Sequence, residues 1–195
     1  VLALVWIASL LLLKEDLGKA SGKPKFREIL SKSRAINFLS AARLFLFGAR
    51  DVWFVVALPV YLSSALGWDF WQVGGFLALW VIGYGLVQSI APAITGRSKA
   101  ALPDGRAACI WAVLLAGLPA VIALGLGSTL SAQWVLVGGL LLFGAVFAVN
   151  SSLHSYLIVS YAKADGVSLD VGFYYMSKAL GRLMGTLLSG WVYQN

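Results

Sequence analysis

The sequence predicts an all-α, polytopic membrane protein, a bundle of membrane-spanning helices. Of its 195 residues, 60% are hydrophobic and only 12% are charged, and the mean hydropathy is +0.86. A soluble domain carries roughly twice that charged fraction. Several apolar runs also exceed the ~20 residues that a helix needs to cross a bilayer. Length, apolarity and scarcity of charge together place this chain in a membrane.

The apolar runs define one partial and five full spans. Residues 1–13 are too few to span, and they lack the basic leader and cleavage site of a signal peptide, so we interpret them as the end of a truncated helix. The full spans are predicted at residues 44–66, 70–95, 107–127, 132–162 and 171–195. Prolines inside them are expected to kink or end helices; these are Pro59, Pro92 and Pro119.

Among the loops, only alternate ones carry basic residues. Residues 14–43 form a basic linker with eight Lys or Arg residues against three acidic ones. The loops at 96–106 and 163–170 hold four more, whereas those at 67–69 and 127–131 hold none. The positive-inside rule makes the basic side cytoplasmic. Topology and contact with membrane lipids therefore explain the net charge of +7, and no nucleic-acid partner is invoked.

Three fixed positive charges lie inside the predicted spans, at Arg50, Lys178 and Arg182. Charged side chains are costly in hydrocarbon and usually face a substrate path or a partner. Asp51 is the only carboxylate that accompanies them within the spans. The excess of positive charge predicts a site for an anion within the bilayer.

The first span carries Arg50 next to Asp51. Adjacent residues point about 100° apart on a helix, so we expect each to find its partner on another helix. Arg50 is a candidate for substrate binding, and the alternative is that its side chain reaches back to the cytoplasmic interface. For Asp51 a structural ion pair and a proton-coupling role both remain open.

The fifth span carries Lys178 and Arg182, which lie four residues apart and so share one helix face. Two like charges one turn apart repel, and an anion between them would relieve the repulsion. The alternative is an ion-pair network with Asp51. Small residues recur every four positions beside these charges and predict a close helix contact; they are Ser177, Gly181, Gly185 and Ser189.

Two further spans supply uncharged polar candidates. Asn150 and His154 lie four apart in the fourth span, where they serve either as interhelical hydrogen-bonding groups or as substrate and proton contacts. Tyr84 and Gln88 lie four apart in the second span, where they either line a cavity or pack against a helix.

Motifs for chemistry are absent from the sequence. No nucleotide-binding loop, zinc-protease motif or hydrolase elbow occurs in the context that its chemistry requires. Cys109 is the only cysteine, so the chain contains no internal disulfide and no paired-cysteine metal site. We therefore predict no catalytic residues, no bound metal and no cofactor.

A long basic linker followed by five spans resembles the second half of a major facilitator superfamily transporter, which has six. The resemblance implies the C-terminal six-helix half of a twelve-helix fold, whose N-terminal half is a missing partner. Residues 1–13 would then be the end of helix six, residues 14–43 the linker, and residues 44–195 helices seven to eleven, with helix twelve missing. The polar candidates fall on helices seven, eight, ten and eleven, which line the family's cavity.

Three strings also resemble the organoarsenical efflux permeases of that superfamily (the ArsJ type): LFGARDVWFVV at 46–56, GWDFWQVGGF at 67–76, and the stretch 165–190. This resemblance implies export of 1-arseno-3-phosphoglycerate from the cytoplasm across the bacterial inner membrane, which confers arsenate resistance. It also implies a functional link to glyceraldehyde-3-phosphate dehydrogenase, which makes that compound when arsenate replaces phosphate.

The expected roles follow from the chemistry of a small anionic substrate. Arg50, Lys178 and Arg182 would bind its oxyanion groups, because Arg and Lys are the usual partners of such groups. Asn150, Tyr84 and Gln88 would complete the substrate site, and proton coupling would fall to Asp51 or His154. The alternatives are a major facilitator exporter of another anion or drug, and, in a different class, an intramembrane enzyme or a structural membrane subunit.

Overall fold

The computed structural model describes residues 33–95, 105–162 and 167–194. Within these ranges every regular element is a helix; the helices are α1 (Arg34–Phe54), α2 (Ala57–Ser64), α3 (Phe70–Ile94), α4 (Gly105–Leu126), α5 (Ala132–Tyr161) and α6 (Val167–Gln194). The predictions for residues 1–13, for linker residues up to 32, and for loop residues 96–104 and 163–166 lie outside the described residues.

Four helical stretches of the described chain are long and apolar enough to cross a membrane: Arg34–Ser64, Phe70–Ile94, Gly105–Leu126 and Ala132–Tyr161. The prediction of an all-α, multi-pass membrane protein is confirmed at this level. The fifth predicted span is helical over the 28 residues of α6, but it is not among the four apolar stretches. Lys178 and Arg182 lower its hydropathy, and its crossing of the membrane stays a prediction.

The first span begins earlier than the sequence indicated. α1 starts at Arg34, ten residues before the predicted start at Leu44. The charges of Arg34 and Arg43 interrupt the apolar run and made this segment resemble the end of the linker. Its buried residues nevertheless keep the three-to-four spacing of a helix face; they are Ile36, Leu39, Ser40, Arg43 and Phe47.

The first span is interrupted between α1 and α2, at residues 55–56. Pro59 explains the break, because proline has no N–H to donate to the carbonyl of Val55 and its ring crowds that carbonyl. Ala57 N instead approaches the hydroxyl of Ser189 on α6, at 3.4 Å. The predicted effect of proline is thus confirmed for Pro59, whereas α3 continues through Pro92 and α4 through Pro119.

The turn from α2 into α3 is fixed by the left-handed backbone of Gly67 and by the N-terminal cap of α3. Gly67 has a φ of +69°, a left-handed conformation that glycine adopts without steric cost. Asp69 then caps α3, since its carboxylate accepts from Gln72 N at 2.8 Å. The Gln72 side chain returns the bond by accepting from Asp69 N at 2.9 Å, which completes a capping box.

The helices pack as two groups. α1 lies along α6 in the most extensive contact of the described chain, while α3 and α4 both pack against α5. An aromatic core joins the two groups, with Phe47 of α1 edge-on to Phe147 of α5 at 5.2 Å between ring centroids. Trp80 of α3 enters the same core and donates from Nε1 to the carbonyl of Leu140 at 2.8 Å.

Candidate functional site

The contact between α1 and α6 brings Arg50 and Asp51 of α1 close to Arg182 of α6. A side chain at Gly181 would overlap the carbonyl oxygen of Leu44, and one at Gly185 would lie 2.5 Å from that of Gly48. The two backbones therefore touch along the predicted stripe of small residues, and Ser177 and Ser189 are buried there as well. The prediction of a close helix contact by this stripe is confirmed.

Asp51 lies at the centre of an ion-pair network beside this contact. Its side chain is completely buried. One carboxylate oxygen accepts from Arg50 Nε at 2.6 Å, and the other accepts from Arg182 Nε at 3.1 Å. The structure thus contains the network that was the alternative interpretation for Arg182.

The expectation that Arg50 and Asp51 do not pair with each other is wrong. The long Arg50 side chain curls around the helix, which overcomes the 100° between neighbouring residues, and it also reaches the faces of Phe47 and Phe147. Because α1 starts at Arg34, Arg50 lies sixteen residues inside the helix, or about 24 Å. With 12% side-chain exposure and a hydrogen bond to the buried Asp51, the Arg50 side chain is turned toward the helix contact.

Lys178 lies beside this network without an ion-pair partner among the described residues. Its Nζ is 4.7 Å from the ring centroid of Phe47 and 5.8 Å from that of Tyr175. It lies within electrostatic range of Asp51 and of the surrounding arginines. Lys178 is half-buried and Arg182 is 56% exposed, so both reach the open surface of α6.

Arg43 is a member of the cluster that the sequence reasoning missed, because it was assigned to the linker. It is 2% exposed on α1 and donates from one guanidinium nitrogen to Ser151 of α5, at 3.0 Å to the hydroxyl and 3.2 Å to the carbonyl. Its guanidinium also lies over Phe47, 4.3 Å from the ring centroid, and over Tyr174, at 4.9 Å. The signal that could have found it is the helical spacing from Ile36 to Phe47.

Phe47 is the shared neighbour of the cations. Arg43, Arg50 and Lys178 all hold their charged groups within 5 Å of its ring centroid, so no two are more than about 10 Å apart. We call Arg43, Arg50, Lys178 and Arg182, with Asp51, the cation cluster. It contains four positive charges and one carboxylate.

Asn150 and His154 are both buried on α5. Asn150 adjoins Ser151, the hydrogen-bond partner of Arg43, and His154 lies within electrostatic range of Arg43. Neither amide atom of Asn150 has a hydrogen-bond partner within the described chain, and neither does Nδ1 of His154. Interhelical hydrogen bonding, the structural alternative for Asn150, is therefore not seen among the described residues. Arg43 bonds to the neighbouring Ser151 instead.

Tyr84 joins the aromatic core, whereas Gln88 has no hydrogen bond to the cation cluster as the structure describes it. The Tyr84 ring stacks on Trp80 at 5.8 Å and approaches Phe147 at 5.9 Å. Gln88, one turn further along α3, is half-buried and forms no hydrogen bond with the rest of the described chain. Tyr84 thus contacts the cation cluster through Phe147. The role of Gln88 in substrate binding stays a prediction.

Two clefts of about 590 and 350 Å³ lie away from these charges. The larger is lined by α2 and the start of α3, and the smaller is an apolar groove between α2, α4 and α5. Neither includes a predicted site residue. No group of three His, Cys, Asp or Glu residues within the described ranges has the geometry to hold a metal ion.

The arrangement can bind an anion, and it shows no nucleophile held by a base. Guanidinium and ammonium groups that are only partly paired provide charge-assisted hydrogen bonds to oxyanions. Comparisons with protein-family models, with curated proteins and with solved structures give no match.

Proposed function

We propose that this protein carries a small organic anion across the membrane as a secondary transporter. The observation that carries the proposal is the charge imbalance of the cation cluster, which contains four cations and one buried carboxylate. Three of these five groups are carried by α1, which belongs to a stretch long and apolar enough to span a membrane. Uncompensated charge at such depth is costly, and a transported anion that neutralises it explains why the charge is kept.

Substrate binding would begin at the accessible edge of the cluster. Lys178 is half-buried and has no ion-pair partner among the described residues, and Arg182 is more than half exposed, so an oxyanion reaches both without unfolding a helix. Arg50 lies deeper and is held by Asp51. An anion that binds all three would compete with Asp51 for its two arginines.

The sequence resemblance supplies the substrate that we propose, 1-arseno-3-phosphoglycerate, and the direction, out of the cytoplasm. Its phosphate and arsenate groups have the geometry that guanidinium groups bind bidentately. The transport mechanism would be alternating access, with this bundle rocking against a second one. Protonation of Asp51 would release Arg50 and Arg182 to the anion, and His154 is the other candidate for a coupling proton.

Transport is tested in everted bacterial membrane vesicles that contain the protein. Arsenate, glyceraldehyde 3-phosphate, NAD and the dehydrogenase are supplied outside, and trapped arsenic is counted. We expect uptake that requires both the dehydrogenase and the transporter. Phosphoglycerate should compete with it, whereas lipophilic cations should not. Equal counts in empty vesicles would reject the arsenical substrate.

The residue roles are tested by the double variant Lys178→Gln, Arg182→Gln in the same vesicles. Losing two charged partners of an oxyanion should lower uptake at least tenfold. Arg34→Gln is the matched control, because it removes one positive charge from an exposed position of α1. Normal uptake by the double variant would contradict anion binding by the cluster.

A further inference from the structure

The boundary between the two helix groups is polar where α5 passes α1. On one side lies the glycine-mediated pair α1 and α6, and on the other α5 with α3 and α4. A direct polar link between α1 and α5 is the bond from Arg43 to Ser151. We call the residues at this crossing, Ser40, Arg43, Asn150, Ser151 and His154, the crossing cluster.

Arg43 is the most deeply buried cation of the described chain, and it has no carboxylate partner there. Asp51 is occupied by Arg50 and Arg182. The bonds to Ser151 satisfy one guanidinium nitrogen, whereas Nε has no acceptor among the described residues. A buried charge without a counter-charge is strongly unfavourable, so this position calls for an anionic oxygen.

The surrounding groups have the same deficit of partners. Asn150 is completely buried with both amide atoms unpaired, and Ser40 Oγ and His154 Nδ1 are also unpaired within the described chain. His154 lies within electrostatic range of Arg43. Buried polar groups are nearly always hydrogen-bonded. Several unpaired polar groups beside one buried cation therefore indicate that a polar ligand binds there.

We propose that the crossing cluster is a second anion site, which takes a small tetrahedral oxyanion such as inorganic phosphate. Arg43 provides the charge, and the amide of Asn150 and the hydroxyl of Ser40 provide hydrogen bonds. Phe47 separates this site from the edge of the cation cluster formed by Lys178 and Arg182. The proposal depends on the surroundings of Arg43 alone, so it does not require transport of an arsenical.

Entry of the anion requires α5 to separate slightly from α1, because Arg43 and Asn150 are closed off from solvent. The crossing is suited to this movement. The glycine contacts that bring two backbones together lie between α1 and α6, whereas α1 reaches α5 through side chains such as Arg43 and Phe47.

Thermal unfolding of the purified protein in detergent tests the proposal, with sodium phosphate compared against sodium chloride at equal ionic strength. A ligand at one hundred times its Kd should raise the Tm by about 5–10 °C for a chain of this size. We expect Arg43→Gln to lose at least half of the phosphate-dependent increase. We also expect its Tm in chloride to equal or exceed that of the wild type, because an unpaired buried charge is gone.

Asn150→Leu provides a second variant that leaves the charge in place. The Asn150 amide forms no hydrogen bond in the described chain, so an isosteric apolar side chain should not lower the Tm in chloride. Phosphate affinity should fall about tenfold, the loss expected for one hydrogen bond to a charged group. Arg34→Gln, on an exposed position of the same helix, should match the wild type in both salts.

The outcomes separate this site from the transport proposal. A phosphate-dependent increase that is equal in the wild type and Arg43→Gln overturns the second site, as does a wild type that phosphate does not stabilise. If Arg43→Gln reduces the phosphate-dependent increase in Tm, and Lys178→Gln removes the part that remains, the result supports two sites. Failure of uptake in vesicles would leave that result standing.

Discussion

Asp51 of α1 accepts a hydrogen bond from Arg182 of α6 at 3.1 Å, directly beside the closest approach of the two helices. This contact depends on Gly185, because a Cβ at that position would lie 2.9 Å from the Cβ of Asp51. The small-residue stripe and the ion pair are therefore one structural unit. The glycines set the distance between the helices, and that distance lets Arg182 reach a carboxylate that is completely buried.

Substitution of Asp51 by Asn should destabilise the protein. The change leaves Arg50 without a counter-charge at 12% exposure, whereas Arg182, at 56% exposure, is largely solvated. Removing one partner of a buried pair costs about 3–5 kcal/mol, and the exposure of Arg182 should reduce the loss to roughly 2–3 kcal/mol. Equilibrium unfolding of the detergent-solubilised protein measures it.

A double-mutant cycle between Asp51→Asn and Arg182→Gln isolates the bond between them. We expect a coupling energy of about 1 kcal/mol, because one partner is buried and the other is more than half exposed. Arg34→Gln in place of Arg182→Gln should give additive effects. Additivity in both cycles would show that the contact between Asp51 and Arg182 does not stabilise the fold.

Gly185→Ala should separate α1 from α6. The new methyl group would meet the Gly48 carbonyl oxygen at 2.5 Å, and a backbone group cannot move aside as a flexible side chain does. Overpacking of this kind costs about 1–3 kcal/mol. The cost should appear as a lower midpoint of unfolding.

Gly190→Ala is the matched control on the same helix, because nothing lies within 4 Å of a Cβ at that position. Replacing glycine by alanine in an open helical position should be neutral or stabilising by up to about 1 kcal/mol. If Gly185→Ala and Gly190→Ala had the same stability, the close approach of α1 and α6 would be refuted.

Much of the fold could be predicted because it depends on local sequence patterns, such as apolar runs and the spacing of small residues. The helices that begin at Phe70, Gly105 and Ala132 start within two residues of their predicted spans, at positions where apolar runs follow polar turns. The four-residue spacing of small side chains also predicted a close helix contact for α6, whose partner the structure identifies as α1. Each of these signals is complete within one stretch of sequence.

The surroundings of Arg43 could not be predicted in this way. Its partner Ser151 is 108 positions distant in the chain, and no sequence pattern near Arg43 predicts this contact. A basic residue next to a basic linker is readily assigned to that linker. Only the helical spacing of its apolar neighbours indicates that Arg43 belongs to a helix. The pairing of Arg50 with Asp51 was missed for a different reason, because helix geometry fixes Cβ directions but not the path of a long side chain.

Asp69→Ala should weaken the start of α3. Asp69 accepts from the backbone N–H of Gln72, and the Gln72 side chain accepts from Asp69 N in return. Loss of an N-cap of this type costs about 0.5–2 kcal/mol. Asp69→Asn keeps a side-chain acceptor and should lose only a few tenths. Unfolding midpoints of the two variants give the comparison, and equal values for Ala and the wild type would contradict the capping role.

The orientation that the positive-inside rule predicts can be tested with exposed residues at the start of α4 and just after its end, which should lie on opposite sides of the membrane. Cys109 is the only cysteine, so a Cys109→Ser chain is a clean background for Gly105→Cys and Thr129→Cys. Basic loops should remain in the cytoplasm, because anionic lipid and the insertion process retain Lys and Arg there. A membrane-impermeant maleimide should label Thr129→Cys in intact cells and label Gly105→Cys only after permeabilisation. The opposite pattern would invert the topology and place the basic loops outside.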